Sequence, residues 1–600
     1  MSFIDYTIVF IYLLSMVGIG VYFQKKASSN IDSYFLANNK LPWWALGASG
    51  MASNLDISGT MINVAFIYAL GASGFFIEIR GGIVLIMAFL MVFMGKWNRR
   101  SKVMTMAEWM ELRFGSGFEG KLARLLSAIA TLLSTVAIVT YFAIGAGKFV
   151  GEFLGIPSFG GLPSEFWASS LMIFLAMIYT VTSGLYGVVW TDVFQGFLIF
   201  TTIIIICFIA VTKFNLPEVF NISIPMLDGS FKQIETSKEA WTSVIPKWHL
   251  NLPADSAYSI YNLFGIAILF YLIKTSIEGY AGTGGYMIQR FFASRSDRDA
   301  GLLSLFWTTL LAFRWPFVAA IAIMGIAYGA ETGNVIEDPE KVLPIVINQL
   351  VPFGLKGLLV AGLMAAAMST FDSVVNAGAS YWVKDIYHTF INRNATEKNL
   401  VFQSRLSSVV IVAIGLFLTL NITSINDIWG WLTMGIGAGL IIPLLIRWYW
   451  WRMNGYGFAI GTGAGMIAAI IQRLAVPNIE EYWSFIIISG ISLLGTVLGT
   501  LLTPKTNEDT LIKFFKQTKP FGFWKPIRDK IEIKDYEEIR KENRRDIIAT
   551  FFAVPWQLVL FLTIMFIVLQ EYDTLIYLVG LLILLSIGLY NFWFKHLDKE

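Results

Sequence analysis

The sequence has little of what disulfide-stapled scaffolds, metal enzymes and nucleic-acid-binding proteins depend on. Its 600 residues include one cysteine, Cys207, and three histidines, His249, His388 and His596, that lie far apart. A disulfide framework and a Cys- or His-based metal centre are therefore excluded. Charged residues make up 14%, and a net charge of +3 is too small to indicate a nucleic-acid partner. No nucleophile–base pair, P-loop or metal-ligand cluster can be recognised, which argues against an enzyme.

Apolar residues dominate what is there. They make up 56% of the chain, and the mean hydropathy is +0.65, as expected of a polytopic membrane protein. Spans of roughly 20 apolar residues can be counted about fifteen times. They fall near 5–23, 43–70, 79–97, 121–150, 166–187, 189–212, 260–288, 302–329, 356–383, 404–424, 427–449, 455–473, 482–503, 549–569 and 573–594.

The connecting segments predict an orientation. Lysine and arginine collect in alternate segments, such as 96–102, 290–298 and 505–545, whereas the opposite segments, such as 331–340, are acidic. Since basic segments stay on the cytoplasmic side, we expect the N-terminus outside and the C-terminus in the cytoplasm. The expected location is the plasma (inner) membrane, crossed many times.

The same pattern divides the chain into seven parts. The predicted parts are a leading helix and cytoplasmic loop (1–42), a first five-helix repeat (43–212), an outer loop (213–259), a second five-helix repeat (260–449), two additional helices (450–503), a charged cytoplasmic segment (504–548) and two C-terminal helices (549–600).

One span, 43–70, is too polar to face lipid. Its first half carries Ser49, Asn54, Asp56 and Ser58 among several glycines. Asp56 alone would cost about 2.5–3.5 kcal/mol at the membrane centre. This composition predicts a broken helix that lines a polar cavity, where freed backbone groups bind ions. The alternative is a tightly packed helix with one buried, paired aspartate.

A second span, 260–288, is interrupted in a similar way. Lys274, Glu278 and four glycines follow one another between 274 and 285. Each interrupted span is the first of five, which fits a transporter built from two inverted repeats with its site between them.

Two further polar patterns stand out. Ser369, Asp372, Ser373 and Asn376 follow i, i+3, i+4, i+7 spacing and form one helical stripe. Sodium prefers several oxygen ligands, so a hydroxyl stripe opposite a broken helix predicts a sodium site, although interhelical hydrogen bonding is the alternative. Asp192, after Thr191, needs a cation or a donor, or else caps a helix.

These residues resemble the sodium/solute symporter family, which includes the sodium/glucose, sodium/proline and sodium/sialic acid cotransporters. The motifs are GLYGVVWTDVFQG at 184–196, GGYMIQR at 284–290 and AAAMSTFDSVVN at 365–376, with GASGM at 47–51. The resemblance covers roughly 5–503. It implies an all-α fold with a LeuT-like core of two inverted five-helix repeats and extra flanking helices.

The resemblance also implies ion ligands. The common sodium site of the family corresponds to Ala52, Leu55, Ala366, Ser369 and Thr370, and the second sodium site of some members to Asp192, Ser369, Asp372 and Ser373. Asp372 departs from the family, which usually has a small or hydroxyl residue there. Two carboxylates could hold a second sodium ion more tightly or share a proton, so one or two sodium ions remain open.

For the solute, the sugar-transporting members resemble this chain at three positions. These are Asn54, Glu78 and Tyr280, of which Tyr280 matches their inner-gate tyrosine. Their glutamine and lysine sugar contacts match Gly59 and Ala312. Asp56, Ser58 and Arg314 are the candidates to replace them. A sugar or sugar-like solute is therefore expected, and an organic acid or amino acid is the alternative.

The resulting hypothesis is sodium-driven uptake by alternating access. Its expected partners are a small solute, one or two Na⁺ and the lipid bilayer, without an organic cofactor or nucleic acid, and a monomer is the working expectation. A transporter-like membrane sensor is a less favoured rival, because 504–548 contains no kinase or receiver motif. Proton coupling through Asp192 and Asp372 is another.

Overall fold

The computed structural model describes residues 1–27, 41–103, 105–180, 185–282, 285–422, 424–477, 479–531 and 533–597. Helices dominate these ranges. Eleven of the described helices are long and apolar enough to cross a membrane by length and composition, and three shorter apolar helices accompany them.

The first half of the chain is helical. Its helices are α1 (Phe3–Ala27), α2 (Trp43–Asn54), α3 (Ile57–Leu70), α4 (Ala72–Ile77), α5 (Ile86–Phe89), α6 (Gly95–Arg100), α7 (Met106–Phe114), α8 (Phe118–Leu154), α9 (Ser164–Thr180) and α10 (Leu185–Lys213). An antiparallel hairpin then follows, formed by β1 (Val219–Pro225) and β2 (Phe231–Ser237), with Val219 opposite Ser237.

The second half continues the pattern. Its helices are α11 (Lys238–Thr242), α12 (Phe264–Ala281), α13 (Gly285–Phe292), α14 (Asp297–Ala312), α15 (Arg314–Thr332), α16 (Val342–Leu350), α17 (Leu355–Ser380), α18 (Glu397–Leu418), α19 (Ile425–Gly430), α20 (Gly437–Tyr449), α21 (Gly455–Ala475), α22 (Glu481–Leu501), α23 (Glu508–Thr518), α24 (Lys525–Arg528), α25 (Ile533–Leu569) and α26 (Tyr572–Phe592). π-Helical turns cover Leu90–Met94, Tyr381–Ile391 and Trp431–Ile436.

The polar span 43–70 is broken between α2 and α3. Asp56 stands at the break as the N-cap of α3, and its Oδ2 accepts the Gly59 N–H at 2.9 Å. Its carbonyl accepts the Thr60 hydroxyl at 2.7 Å. An aspartate that satisfies the first turn of a new helix ends the preceding one, so the predicted interruption is present.

The second interruption lies between α12 and α13. Gly282 has φ +80° and ψ −174°, a backbone conformation that only glycine adopts readily. Its N–H bonds the Glu278 carbonyl at 3.0 Å. The chain therefore leaves the helix at this glycine.

The predicted span 79–97 is not one regular helix. It consists of a 3-10 turn at Glu78–Arg80, the short helix α5, a π-helical turn and α6. Val84 has φ +55°, and adjacent Gly81 and Gly82 favour irregular backbone. Hydropathy detects the length of such a segment but not its local geometry.

Helix α17 lies at the centre of the fold. It packs against α1, α2, α8, α10 and α18, and nearly all of its length is buried. Its N-terminal end is held by α1, because Asp5 Oδ1 accepts the backbone N–H groups of Gly354 and Gly357 at 2.7 and 2.8 Å. A helix so enclosed can carry polar residues that lipid would not tolerate.

Helix α25 runs without a break from the predicted cytoplasmic segment into the predicted span 549–569. Before it, α23 packs on α7, and the chain at Phe523 bonds the end of α20. There the Phe523 N–H reaches the Tyr449 carbonyl at 2.6 Å. The segment 504–531 is thus tied to the ends of the helical bundle.

Candidate functional site

The broken end of α2 faces the middle of α17. The Thr370 hydroxyl donates to the Ser53 carbonyl at 2.8 Å and to the Ala366 carbonyl at 3.1 Å. Ala52 and Leu55 flank Ser53 at this end. The last carbonyls of a helix have no partner within it, so this junction presents backbone oxygens beside hydroxyl groups. The residues predicted for the first sodium site therefore lie on two facing segments.

Ser53 joins the two segments through its side chain as well. Its Oγ lies 3.5 Å from Ser369 Oγ and 3.4 Å from Ser373 Oγ. Since all three are buried, the hydroxyl stripe predicted on α17 does face α2.

Asp192 of α10 reaches the same hydroxyl groups. Its Oδ2 accepts the Ser49 hydroxyl at 2.5 Å, and its Oδ1 accepts the Ser369 hydroxyl. Only 1% of Asp192 is exposed. Asp372 is buried on α17 one turn after Ser369. The structure thus brings Asp192, Ser369 and the Ser53–Ser373 pair together.

Arg290 of α13 completes this cluster. Its Nη2 lies 3.4 Å from Asp192 Oδ2 and donates to Ser49 Oγ at 2.8 Å and to Ser53 Oγ at 2.9 Å. A longer contact of 3.5 Å reaches Ser373 Oγ. The Arg290 guanidinium, which always carries a positive charge, therefore lies among the groups predicted to bind the second sodium ion.

Arg290 ends the motif at 284–290, but the sequence alone predicts no role for it. The available signal was an arginine just after an interrupted span, which must find an anion or several acceptors if it is buried. Within the described residues no group of three or more His, Cys, Asp or Glu is placed to hold a metal ion.

A cavity of about 420 Å³ opens next to the α2–α3 break. It is bounded by residues of α2, α8, α12, α17 and the segment 429–444. Its polar lining includes Ser53, Asn54, Asp56, Arg80, Ser127, Thr131, Ser134, Thr135, Tyr141, Lys274, Thr275, Glu278, Thr370, Tyr381, Thr433 and Thr462. Cavities of this size hold small organic ligands.

Asp56 and Arg314 form a charge pair at the break. Arg314 Nη2 lies 3.8 Å from Asp56 Oδ1, and its Nη1 donates to the Asn54 carbonyl at 3.3 Å. Arg314 Nε and Nη2 are buried and make no hydrogen bond with another described residue. Donor capacity therefore remains beside the cavity.

A second charged group lies at the wall formed by α12. Lys274 Nζ donates to the Arg80 carbonyl at 2.6 Å and lies 2.7 Å from Glu278 Oε1. Arg80 bonds Glu481, Asn426 Oδ1 at 2.5 Å and the Tyr261 hydroxyl at 3.0 Å.

Three predicted solute residues do not line this cavity. The Ser58 hydroxyl donates to the Tyr141 carbonyl at 3.1 Å. Glu78 is fully buried 3.5 Å from Arg80 Nε and accepts no hydrogen bond from another described residue. Tyr280 packs against Phe89, with ring centroids 5.1 Å apart. Asn54 and Asp56 do line the cavity, and Arg314 lies directly behind Asp56.

The match to a protein-family model shows which family this chain belongs to. The model of the sodium:solute symporter family matches residues 34–465, which is most of the chain. The chain belongs to the sodium:solute symporter family. The predicted family is thereby confirmed, and with it sodium-coupled symport as the function; members of this family are transporters.

Individual relatives differ in their named solutes. The symporter is 26% identical to a sodium/glucose cotransporter of Vibrio parahaemolyticus over 83% of this chain and 91% of the relative. It is 24% identical to the sodium/sialic acid symporter SiaT of Proteus mirabilis over 84% and 96%. It is 26% identical to the high-affinity proline transporter PutP of Bacillus subtilis over 75% and 88%.

A solved structure supports the fold. A Na⁺-coupled sialic acid symporter, in its substrate-bound outward-open state, matches with a TM-score of 0.61 at 20% identity, over 84% of this chain and 99% of that one. The predicted fold class, an all-α membrane protein with a LeuT-like core, is confirmed.

Proposed function

We propose that this symporter imports a small polar organic solute, a sugar or sugar-like molecule, together with sodium by alternating access. The observation that carries the proposal is the break between α2 and α3. It faces the hydroxyl-bearing middle of α17 and opens on the 420 Å³ cavity. Ion and solute would therefore bind on either side of one discontinuous helix, which couples them.

The first sodium ion is proposed to bind between α2 and α17. Its ligands would be the carbonyls of Ala52, Leu55 and Ala366 and the hydroxyls of Ser369 and Thr370. The Thr370 hydroxyl bond to the Ser53 carbonyl, 2.8 Å long, supports this proposal because it shows how closely the two segments approach. Hard cations prefer such oxygen sets.

A second sodium ion is proposed for Asp192, with Ser369, Asp372 and Ser373. The guanidinium of Arg290 stands among the same hydroxyls, 3.4 Å from the Asp192 carboxylate. Two cations cannot share this space. We therefore propose that Arg290 and the second sodium ion exclude one another, so that a second ion binds only after Arg290 withdraws.

The solute is proposed to bind beside Asn54 and Asp56. The pair of Asp56 with Arg314 supports a neutral polar solute, because it offers acceptors and donors without net charge. Glu78 and Ser58 lie away from the cavity, so a role as solute ligands would need another conformation of the cycle. Tyr280 is proposed as the inner gate.

An organic acid or amino acid is the second candidate. Lys274 and Glu278, 2.7 Å apart, both line the cavity and could exchange their mutual contact for the two charges of a zwitterion. Coupling to protons through Asp192 and Asp372 stays the alternative to sodium for the second site.

The placement in the membrane is also a proposal. We propose a monomer in the plasma membrane, with its N-terminus outside and its C-terminus in the cytoplasm. The alternation of basic and acidic segments supports this orientation. On this orientation the ion pair of Lys148 with Glu340, 2.6 Å long, lies on the outer side.

Uptake by the purified protein in liposomes tests the proposal. Labelled hexoses, sialic acid and amino acids are offered with an inward sodium gradient, and in matched vesicles with potassium or with a proton gradient. We expect accumulation of a hexose or of sialic acid in the sodium vesicles only. Accumulation of an amino acid would favour the second candidate, and uptake driven by protons without sodium would contradict the proposed coupling.

A further inference from the structure

A second cavity, of about 500 Å³, lies at the basic end of the bundle and shares no lining residue with the cavity at the α2–α3 break. It is formed where α6, α14, α23, α25 and the end of α26 meet. Gln517 fixes α23 there, because its Nε2 donates to the carbonyls of Arg100 and Ser101 at 3.0 and 2.8 Å. The cavity therefore has a defined wall on the side of the segment 504–531.

The lining of this cavity carries more positive than negative charge. Its basic residues are Lys96, Arg100, Arg298, Lys516, Lys519 and Arg545, and its acidic residues are Asp297, Glu538, Glu542 and Asp546. Six basic residues against four acidic residues leave a net charge of +2 before His596, which also lines the cavity, is counted.

Two of the basic residues, Lys96 and Arg100, form ion pairs with three of the four acidic residues. Lys96 Nζ lies 2.7 Å from Glu542 and 2.8 Å from Asp546. Arg100 lies 2.6 Å from Asp297 and 2.7 Å from Glu542. These five side chains, two basic and three acidic, form one side of the cavity and carry a net charge of −1.

The remaining basic side chains include three without such a partner. Lys516, Lys519 and Arg545 line the cavity, and no carboxylate of the described residues lies within 4.0 Å of their nitrogen atoms. Three cations that converge on one cavity repel each other unless an anion joins them. The lining of the cavity thus keeps a net charge of about +2, which a bound anion with about two negative charges would balance.

Apolar and aromatic residues close the other side of the cavity. Val92, Phe592 and Trp593 line it where helices of the bundle end. Next to it, the outer faces of α25 and α26 expose large apolar side chains, with Phe551 73% and Leu584 66% exposed. A tryptophan beside basic residues at the end of apolar helices is typical of the headgroup level of a membrane.

We propose that this cavity binds a phosphate-bearing anion. Lysine and arginine are the residues that bind phosphate oxygens, and a phosphate group supplies the missing charge. Two sources fit this chemistry: the headgroup of an anionic phospholipid, whose acyl chains would lie along α25 and α26, and a soluble phosphate from the cytoplasm. Basic pockets between helices on the cytoplasmic side bind anionic headgroups in this way.

The test uses the full chain purified in detergent. Native mass spectrometry counts bound phosphatidylglycerol and, in parallel, bound phosphatidylcholine. Thermal unfolding is followed in buffer with inorganic phosphate and, as the control anion, in buffer with chloride and no sulfate, at equal ionic strength. The variant is Lys516→Gln/Lys519→Gln/Arg545→Gln, and the control is Lys513→Gln, an exposed lysine of the same helix that does not line the cavity.

The outcomes separate the two sources. Loss of phosphatidylglycerol in the triple variant only, with affinity lower by on the order of a hundredfold for three basic residues, assigns the cavity to a lipid headgroup. A phosphate-specific shift that the triple variant loses, without lipid retention, assigns it to a soluble phosphate. Equal behaviour of the triple variant and Lys513→Gln in both assays would overturn the proposal. Neither assay measures transport, so a failure here leaves the proposed function untouched.

Discussion

Replacement of Arg290 by glutamine tests whether the Arg290 guanidinium and the second sodium ion compete for the same site. The guanidinium lies 3.4 Å from the Asp192 carboxylate, and both are almost fully buried. At this distance, and with an effective dielectric constant of 20, the two charges attract each other by about 5 kcal/mol. Glutamine keeps much of the side-chain length and hydrogen-bonding capacity but removes the charge.

The expected result depends on the cation present. Removing one partner of a buried pair costs about 3–5 kcal/mol, because the other charge stays buried. In potassium, Arg290→Gln should therefore unfold at a lower temperature than the wild type. In sodium, an ion can take the place of the guanidinium beside Asp192, Ser369 and Ser373. If local relaxation of the variant offsets about two thirds of this cost, about 1.4 kcal/mol remains for a sodium ion to recover. Sodium should then bind Arg290→Gln about tenfold more tightly than the wild type.

The assay is thermal unfolding against sodium concentration, with Arg473→Gln as the matched control. Arg473 forms a bidentate pair with Asp427 at 2.6 and 2.8 Å, but the aspartate side chain is 47% exposed. Such surface pairs contribute little, so the control should leave sodium affinity unchanged. Asp192→Asn combined with Arg290→Gln should abolish the gain. Weaker sodium binding in Arg290→Gln would refute the idea that the two cations compete.

Three further changes follow from the same geometry. Thr370→Ala removes a hydroxyl 2.8 Å from the Ser53 carbonyl and should weaken sodium binding about tenfold in equilibrium titrations; normal sodium affinity would exclude Thr370 as a ligand. Asp56→Asn, which keeps a side-chain oxygen to cap α3 but removes the charge beside the cavity, should lower solute affinity in uptake assays while the sodium-induced stabilisation persists, and the reverse pattern would remove Asp56 from the solute site. Gly282→Ala forces a side chain into φ +80° and should cost about 1–3 kcal/mol in unfolding experiments. Gly490→Ala, on a helix with open space around the added carbon, is its control and should cost nothing; equal losses would contradict the strain argument.

The sequence predicts the discontinuity in 43–70 because its cause is local. Asp56 among glycines and serines cannot continue a lipid-facing helix, and the structure uses it as a helix cap. The hydroxyl stripe on α17 is likewise local, since it follows helical spacing. Both predictions rest on residues whose chemistry is fixed by their near neighbours in the chain.

The contacts made by individual side chains depend on distant segments instead. Ser58 is a candidate solute contact from the sequence, and in this structure its hydroxyl donates to the Tyr141 carbonyl on α8. Arg290 is 98 residues from Asp192, and no spacing rule brings them together. Such pairings depend on how helices cross, which sequence periodicity does not specify.

The predicted boundary at 548–549, between the charged segment and the C-terminal helices, does not coincide with the end of a helix. Charge density predicts a soluble segment up to this point, yet α25 continues through it from Ile533 to Leu569. Glutamate, lysine and arginine are good helix formers, so a helix need not end where it enters the membrane. Hydropathy locates the membrane boundary and not the helix terminus.

The proposed site of the first sodium ion lies between the α2–α3 break and α17. Its most direct test is thermal stability of the purified protein in sodium, potassium or choline at fixed ionic strength, read from its 20 tryptophans and compared with Ser369→Ala. We predict a saturable stabilisation by sodium alone that Ser369→Ala abolishes. Stabilisation that persists unchanged in Ser369→Ala, or that follows pH and ignores sodium, would contradict this account.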